Sequence, residues 1–515
     1  MDWSAVYDNH GEEEGHWEDH GETRSSRVAH RLIHSQRKQS LSLPQSVNGR
    51  EPEQEDVAAQ KYSPLVAYAF TVNYILGVGS LGIPYAFYRA GLIMGNAMII
   101  VVTIISYWTV MWVSETIARA RESQLVRAIT ERTALKTSSH EQFEDFPEVT
   151  WLCDRFLGPV GSRLYQISLL GLMYGGLLGY SQVFVNSFLT QVTHIGSMTL
   201  TSVHGALIFG SIVVPLSCAD LTEQIVVQLA MSVVRFVALL IMIFSASYAI
   251  YADPYDTGEP NVDPRAETTS AYISNYSLVD FSGFGVMFST GVFSQLFQHS
   301  VPGLLAPLGG KNQSKAHGIF GSTLLTTMCF YIALGSICSL YFGPRTASSV
   351  NLNWADFTWG LAEQSALIPW WAKLMSTIVV VFPALDTLSV YPLISVTLGD
   401  NMAAVVPERW VQAIGGRGFW KMLCRFGASL PPLIISMFVS DLSITLQFSG
   451  MSGIYVAFFA PALLQLSSSK EFPAANVYSS RFSGPRFAYF VLAFGVFAFC
   501  VLLYQLAQQI VYGAS

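Results

Sequence analysis

One run constrains this chain more than any other: Val72-Asn73-Tyr74-Ile75-Leu76-Gly77-Val78-Gly79-Ser80-Leu81-Gly82-Ile83-Pro84-Tyr85-Ala86-Phe87. It lies inside the first long apolar segment, yet it holds three glycines and a proline within eight residues. Glycine weakens a helix and proline removes a backbone donor. In hydrocarbon a freed backbone group is costly unless protein, water or a ligand satisfies it. Two readings are open. The run is a kink for close helix packing, or it is a break that lines a cavity near the bilayer midplane. The second reading points to the binding site of a transporter.

The rest of the chain fits a membrane setting. Of 515 residues, 51% are hydrophobic and only 12% charged, about half the charged share of a soluble domain. Eleven apolar segments run near 64–88, 92–116, 163–190, 202–219, 224–251, 283–305, 317–342, 366–397, 424–440, 443–466 and 487–511. The expectation is an all-α membrane protein of about 11 transmembrane helices. Its parts are a polar cytoplasmic tail over 1–62, read as disordered, and a transmembrane domain over 63–515. With the N-terminus cytoplasmic, 23 Lys and Arg fall in loops on that side and three on the other. That asymmetry is the positive-inside pattern. The absence of an early apolar run argues against a cleaved signal peptide. The sequon at Asn275 lies in an acidic loop on the outer side and is expected to carry glycan, unlike the one at Asn312.

The six cysteines are scattered without a CxxC, so no metal or disulfide framework is implied. His10, His16 and His20 beside Glu12-Glu13-Glu14 read as a solvated acidic tail rather than a metal site. No catalytic residue, metal or bound cofactor is expected: neither HExxH nor GxSxG occurs in the chain. A channel is disfavoured because no repeated filter sequence or acidic ring is present. Nothing suggests a nucleic-acid partner. The partners expected are membrane lipid and a small solute; the oligomeric state is not legible.

The sixth segment carries a second interruption, Phe293-Ser294-Gln295-Leu296-Phe297-Gln298-His299-Ser300-Val301-Pro302-Gly303. It opens a second group of five spans as the 72–87 run opens the first. Matched breaks suggest a five-plus-five inverted repeat, with repeat one at about 63–251, repeat two at about 283–466 and an extra helix at about 487–511. On the third segment Gly171, Gly175 and Gly179 form a small-residue packing face, flanked by Tyr174 and Tyr180. Of these, Tyr174 is taken as a cavity residue. Arg235 lies mid-span in the fifth segment, where a charge faces the protein interior, and Asp386 is its candidate partner. On the eighth segment Ser376 and Thr377 either bond back to their own backbone or help complete an oxygen shell around a small cation.

These residues resemble the amino acid/auxin permease family. The resemblance rests on Asn73, Gly77, Gly79, Leu81, Pro84, Ala86 and Phe87, on His299 followed by Pro302, and on Gly450, Gly453 and Pro461-Ala462-Leu463. One branch is similar in Gln298-His299-Ser300-Val301-Pro302, in Phe382-Pro383 with Pro392-Leu393-Ile394 downstream, and in an Arg like Arg235. The family usually has Pro directly after that His, where this chain has Ser300. The resemblance implies a five-plus-five inverted-repeat fold with broken first and sixth helices. It also implies secondary transport of amino acids or related small amines, coupled to Na+ or H+.

For the substrate, the expected contacts are Leu76, Gly77, Val78, Gly79, Ser80 and Leu81 at the first break, with Tyr174, Ser294, Gln295 and Gln298. Asn73 and Ser376 match the positions that sodium-coupled members use, with Thr377 beside the second. Arg235 argues against sodium, because a fixed cation in the same cavity takes the ion's electrostatic place. His299 either carries a coupling proton or caps the broken helix. A substrate-sensing receptor with little transport is the alternative. The plasma membrane and an endolysosomal or vacuolar membrane fit equally.

Overall fold

A computed structural model of the chain describes residues 63–134, 146–218, 225–252, 277–308, 312–357, 359, 369–404 and 416–512. The polar tail and Asn275 lie outside the described residues. The main compact unit covers 59–122 and 142–515; residues 123–134, the end of one helix, belong to a second unit.

The chain is an all-α membrane protein. Its helices are α1 (Pro64–Ile75), α2 (Gly79–Ala90), α3 (Leu92–Ala134), α4 (Val149–Gln191), α5 (Ser202–Cys218) and α6 (Ile225–Ala252). There follow α7 (Phe284–Gln295), α8 (Val301–Leu305), α9 (Ala316–Phe342), α10 (Trp370–Ala404), α11 (Arg417–Ser436), α12 (Leu442–Ile454), α13 (Ala460–Glu471) and α14 (Pro485–Tyr512). A two-residue hairpin, β1 (His194–Ile195) with β2 (Met198–Thr199), joins α4 to α5.

Within the described residues, each apolar segment of the sequence is largely helical. Among the described residues, seven helices are long and apolar enough to cross a membrane, and an eighth span results if the bent pair α1–α2 is counted as one. Two stretches assigned to loops are partly helical instead. α3 continues to Ala134 and α4 starts at Val149, bending where Gly158 has φ 74° ahead of Pro159. A helix needs an apolar face only where it is packed or in lipid, so hydropathy marks the span and misses such extensions.

Both interrupted segments break where the residues demand it. Ser63 caps α1, its Oγ accepting the Val66 N–H, and Pro64 takes the first turn. α1 ends at Ile75, the chain unwinds through 76–78, and α2 resumes at an angle of 56°. α7 ends at Gln295. Leu296 is extended, a 3₁₀ turn covers Gln298–Ser300, and Pro302 sits in the first turn of α8.

The α4 glycine face packs as expected. A Cβ at Gly175 would overlap Ser449 on α12, and Gly171 faces Ser452 on the same helix. α12 in turn packs on α7, and α10 on α4 and α6. The two breaks are thereby held facing each other at the centre.

Candidate transport site

The break in the first segment leaves backbone groups to be satisfied, and the structure shows by what. The Gly77 N–H donates to the Ile75 carbonyl, Ser80 donates to Gly77 from both N–H and Oγ, and Leu81 donates to Val78. Among the described residues, the N–H groups of Val78 and Gly79 have no backbone carbonyl to donate to. They open α2 and carry the positive end of its dipole. The Tyr180 hydroxyl of α4 stands over this point, 3.1 Å from where a Cβ at Gly77 would lie. Only glycine fits at 79, since a Cβ there would lie 2.5 Å from Ser294 Oγ and 3.1 Å from its Cα.

The carbonyls at the end of α1 meet two fixed donors. Arg235 Nη1 lies 2.9 Å from the Asn73 carbonyl, 2.9 Å from Asn73 Oδ1 and 2.5 Å from the Leu76 carbonyl. Its Nη2 donates to both carboxylate oxygens of Asp386, at 2.6 and 2.8 Å. Both side chains are buried, so the charge in α6 finds the partner in α10 that the sequence suggested. The Tyr331 hydroxyl of α9 stands 3.0 Å from the Ile75 carbonyl and 3.1 Å from the Ser294 carbonyl. It therefore bridges the C-terminal ends of the half-helices α1 and α7.

A cavity of about 480 Å³ adjoins both breaks. Gly77, Val78 and Gly79 line it, with Tyr180, Ser294, His299 and Arg235. Its walls are apolar: Leu172, Met173 and Gly176 of α4, Phe293 and Leu296 at the end of α7, and Val390, Leu393 and Ile394 of α10. Ser294 Oγ is buried here without a hydrogen-bond partner among the described residues. A second cavity of about 350 Å³ shares Tyr74, Met173, His299 and Thr397 with the first and continues to Glu148, at the start of α4, and Asn401, near the end of α10.

On the opposite side of the break the space between Ser80, Val183, Phe382 and Asp386 is only about 10 Å³, at the limit of what holds one water. There the segment Val350–Trp354 is tucked in. Asn351 Nδ2 donates to Ser187 Oγ at 3.0 Å, and Trp354 Nε1 donates to Ser245 Oγ at 2.9 Å. Among the described residues, the cavity thus continues toward the start of α4, while on the other side of the break there is only the small space.

The expected site residues divide into two groups. Gly77, Val78, Gly79, Ser294, Asn73, Arg235 and His299 line the cavity, and Ser80 and Leu81 border the small closed space beside the break. Leu76 is fully buried, and its carbonyl accepts from Arg235. Gln295 and Gln298 turn away into the bundle. Gln295 Nε2 donates to Thr103 on α3 at 3.1 Å and its Oε1 accepts from Thr327 on α9 at 3.1 Å. Gln298 Nε2 donates to Thr109 on α3 at 3.0 Å, while its Oε1 accepts the Phe297 N–H freed by the break.

Tyr174 donates to the Gly427 carbonyl of α11 at 2.6 Å and is not among the residues lining the cavity; Tyr180 is. Ser376 accepts from Trp359 Nε1, and Thr377 bonds back to the Lys373 carbonyl. They lie ten and nine residues before Asp386 and six and five before Phe382, about 15 Å and about 9 Å along the helix for Ser376. The α10 residues that face the break are Phe382, Pro383, Asp386 and Thr387. His299 Nε2 and the Tyr74 hydroxyl share a 3.2 Å hydrogen bond, while Nδ1 is buried without a partner.

The comparisons with known proteins agree with this architecture. The family model described as transmembrane amino acid transporter protein matches residues 60–508. The chain is 23% identical over 503 residues to the transmembrane protein 104 homolog of Dictyostelium discoideum, covering 86% of this chain and 96% of that one. It is 22% identical over 536 residues to the homolog of Drosophila melanogaster, covering 89% and 99%. To transmembrane protein 104 of Homo sapiens it is 23% identical over 510 residues, covering 85% and 95%. Transmembrane protein 104 is also the branch that the Gln298-to-Pro302 run resembles. With the match extending over both helix breaks and everything between them, this chain is a member of the transmembrane amino acid transporter family.

Proposed function

We propose that this protein moves amino acids or related small amines across a membrane by alternating access, driven by a proton rather than by sodium. The observation that carries the reading is the cavity at the two helix breaks, polar at the α2 N-terminus and, among the described residues, continued toward the start of α4 with only a small space on the other side. A carboxylate fits the Val78 and Gly79 N–H groups and the Tyr180 hydroxyl, as anions fit helix N-termini generally. The eleven apolar segments of the sequence and the matched breaks support a five-plus-five inverted repeat with one extra helix. The basic-residue asymmetry supports a cytoplasmic N-terminus, which puts the start of α4 on the cytoplasmic side, and Asn275 is then placed to carry glycan.

Sodium coupling conflicts with the carbonyls at the breaks. In transporters of this kind half-helix C-termini and unwound carbonyls hold the coupling ion. Here Asn73 and Leu76 face the Arg235 guanidinium, and Ile75 and Ser294 face the Tyr331 hydroxyl. A cation brought to the same carbonyls meets the guanidinium at close range, where like charges repel strongly. His299 is the proton carrier in this reading: it lines both cavities, and one ring nitrogen is unpartnered.

The test is counterflow of a mixed radiolabelled amino-acid pool into proteoliposomes, beside Ile394→Trp, which fills the cavity from α10 without touching the break. Label accumulates with the natural protein and not with the variant, which elutes as the same monodisperse peak. A folded natural protein that binds amino acids saturably without counterflow contradicts transport and favours a sensing receptor.

A further inference from the structure

We infer that the substrate is a neutral amino acid with a large apolar or aromatic side chain, and that Gly176 sets the size limit. This inference rests on the transport reading and deepens it. With the carboxylate anchored at the α2 N-terminus, the rest of the molecule must occupy the remainder of the cavity. About 480 Å³ is available, well inside the range of small-molecule pockets, about 300–1,000 Å³. That space is bounded by Leu172 and Met173 of α4, by Phe293 and Leu296 at the α7 break, and by Val390 and Ile394 of α10.

Among the described residues lining the cavity there is no Asp, Glu or Lys. The one arginine, Arg235, is engaged by Asp386, Asn73 and Leu76. A cationic or anionic substrate side chain would therefore lose its hydration with no counter-charge in return, a heavy penalty at such a site. An apolar side chain gains from each group it buries, and each methylene is worth about 10- to 200-fold in discrimination.

Gly176 decides how much side chain fits. It is one residue on from Gly175, which packs on Ser449, and so points about 100° around the helix from that contact. A Cβ added there meets nothing closer than Phe293 Cζ at 3.9 Å. The glycine is consequently not needed for packing. A larger residue at 176 extends into the cavity and takes the volume a substrate side chain would use.

The experiment is inhibition of labelled-leucine counterflow by Trp, Phe, Leu, Ala, Gly, Lys and Glu in proteoliposomes, for the natural protein, Gly176→Ala and Gly176→Leu. Phe, Trp and Leu are expected to inhibit at concentrations at least tenfold below Ala and Gly, with Lys and Glu ineffective. Gly176→Leu is expected to lose Phe and Trp inhibition at least tenfold while retaining Ala, read with labelled alanine as the tracer. Gly176→Ala falls between and serves if the larger variant fails to fold. Transport that persists with Lys, Glu or Gly as the preferred solute, or an unchanged preference in both variants, overturns the inference and leaves the transport reading standing. No counterflow of any amino acid overturns both.

Discussion

Arg235 of α6 reaches both carboxylate oxygens of Asp386 of α10 while its other amino group holds the Asn73 and Leu76 carbonyls at the end of α1. One guanidinium thus ties the broken helix to the wall opposite. Removing one partner of such a buried pair leaves an uncompensated charge, at about 3–5 kcal/mol. Arg235→Ala is therefore expected to lower the detergent-solubilised melting temperature more than the double variant Arg235→Ala/Asp386→Ala does. A double variant melting below Arg235→Ala contradicts the pairing.

Tyr331 is expected to matter through its hydroxyl alone. Tyr331→Phe keeps the ring and leaves the Ser294 carbonyl without that donor, while the Ile75 carbonyl keeps the Gly77 N–H. An unsatisfied buried acceptor costs about 1–3 kcal/mol, enough to slow transport by roughly tenfold. Initial rates of counterflow measure it. Rates equal to those of the natural protein would show that the bridge is idle.

His299 should confer the pH response. In His299→Gln, uptake no longer accelerates when the outside of the vesicle is acidified, while counterflow at equal pH continues. Loss of both together assigns His299 a structural role at the break, and retention of the acid stimulation removes it as the proton carrier.

A second buried charge cluster lies away from the cavity. Arg119 Nη2 donates to Glu115 at 2.8 Å and its Nη1 donates to Gln465 at 2.8 Å, while Ser483 donates to the other Glu115 oxygen. These contacts pin α3 to α13 and to the loop before α14. Glu115→Ala is expected to destabilise by about 3–5 kcal/mol and Ser483→Ala, which loses one hydrogen bond to a carboxylate, by about 1.5–3 kcal/mol, read as ordered drops in melting temperature. Equal drops contradict the cluster's charge as the dominant contribution.

Much of this was legible in the sequence, and the exceptions have physical reasons. Three glycines and a proline in an apolar run announce the first break, and a lone arginine in an apolar helix announces a buried partner. Choosing between Tyr174 and Tyr180 required more than spacing: six residues apart, they point about 120° from each other around α4, and which face meets the cavity depends on where α11 and α12 pack. Gln295 and Gln298 read as cavity residues because they flank a break. They serve the bundle instead, because Thr103, Thr109 and Thr327 on α3 and α9 wait for them. Ser376 matches a position that sodium-coupled members use, and Pro383, further along the same helix, does sit near the break. The register nonetheless leaves the serine about two to three turns away from Asp386. Gly176 was hidden among glycines that pack, and only the empty space beside it sets it apart.

The most direct test of the central claim is amino-acid counterflow in proteoliposomes with sodium replaced by choline at fixed pH, and then with an imposed pH gradient. Flux is expected to be unchanged on removing sodium, with concentrative uptake down the proton gradient. Flux that collapses without sodium would contradict that claim, because the carbonyls at the breaks would then have to release Arg235 and Tyr331 to receive an ion.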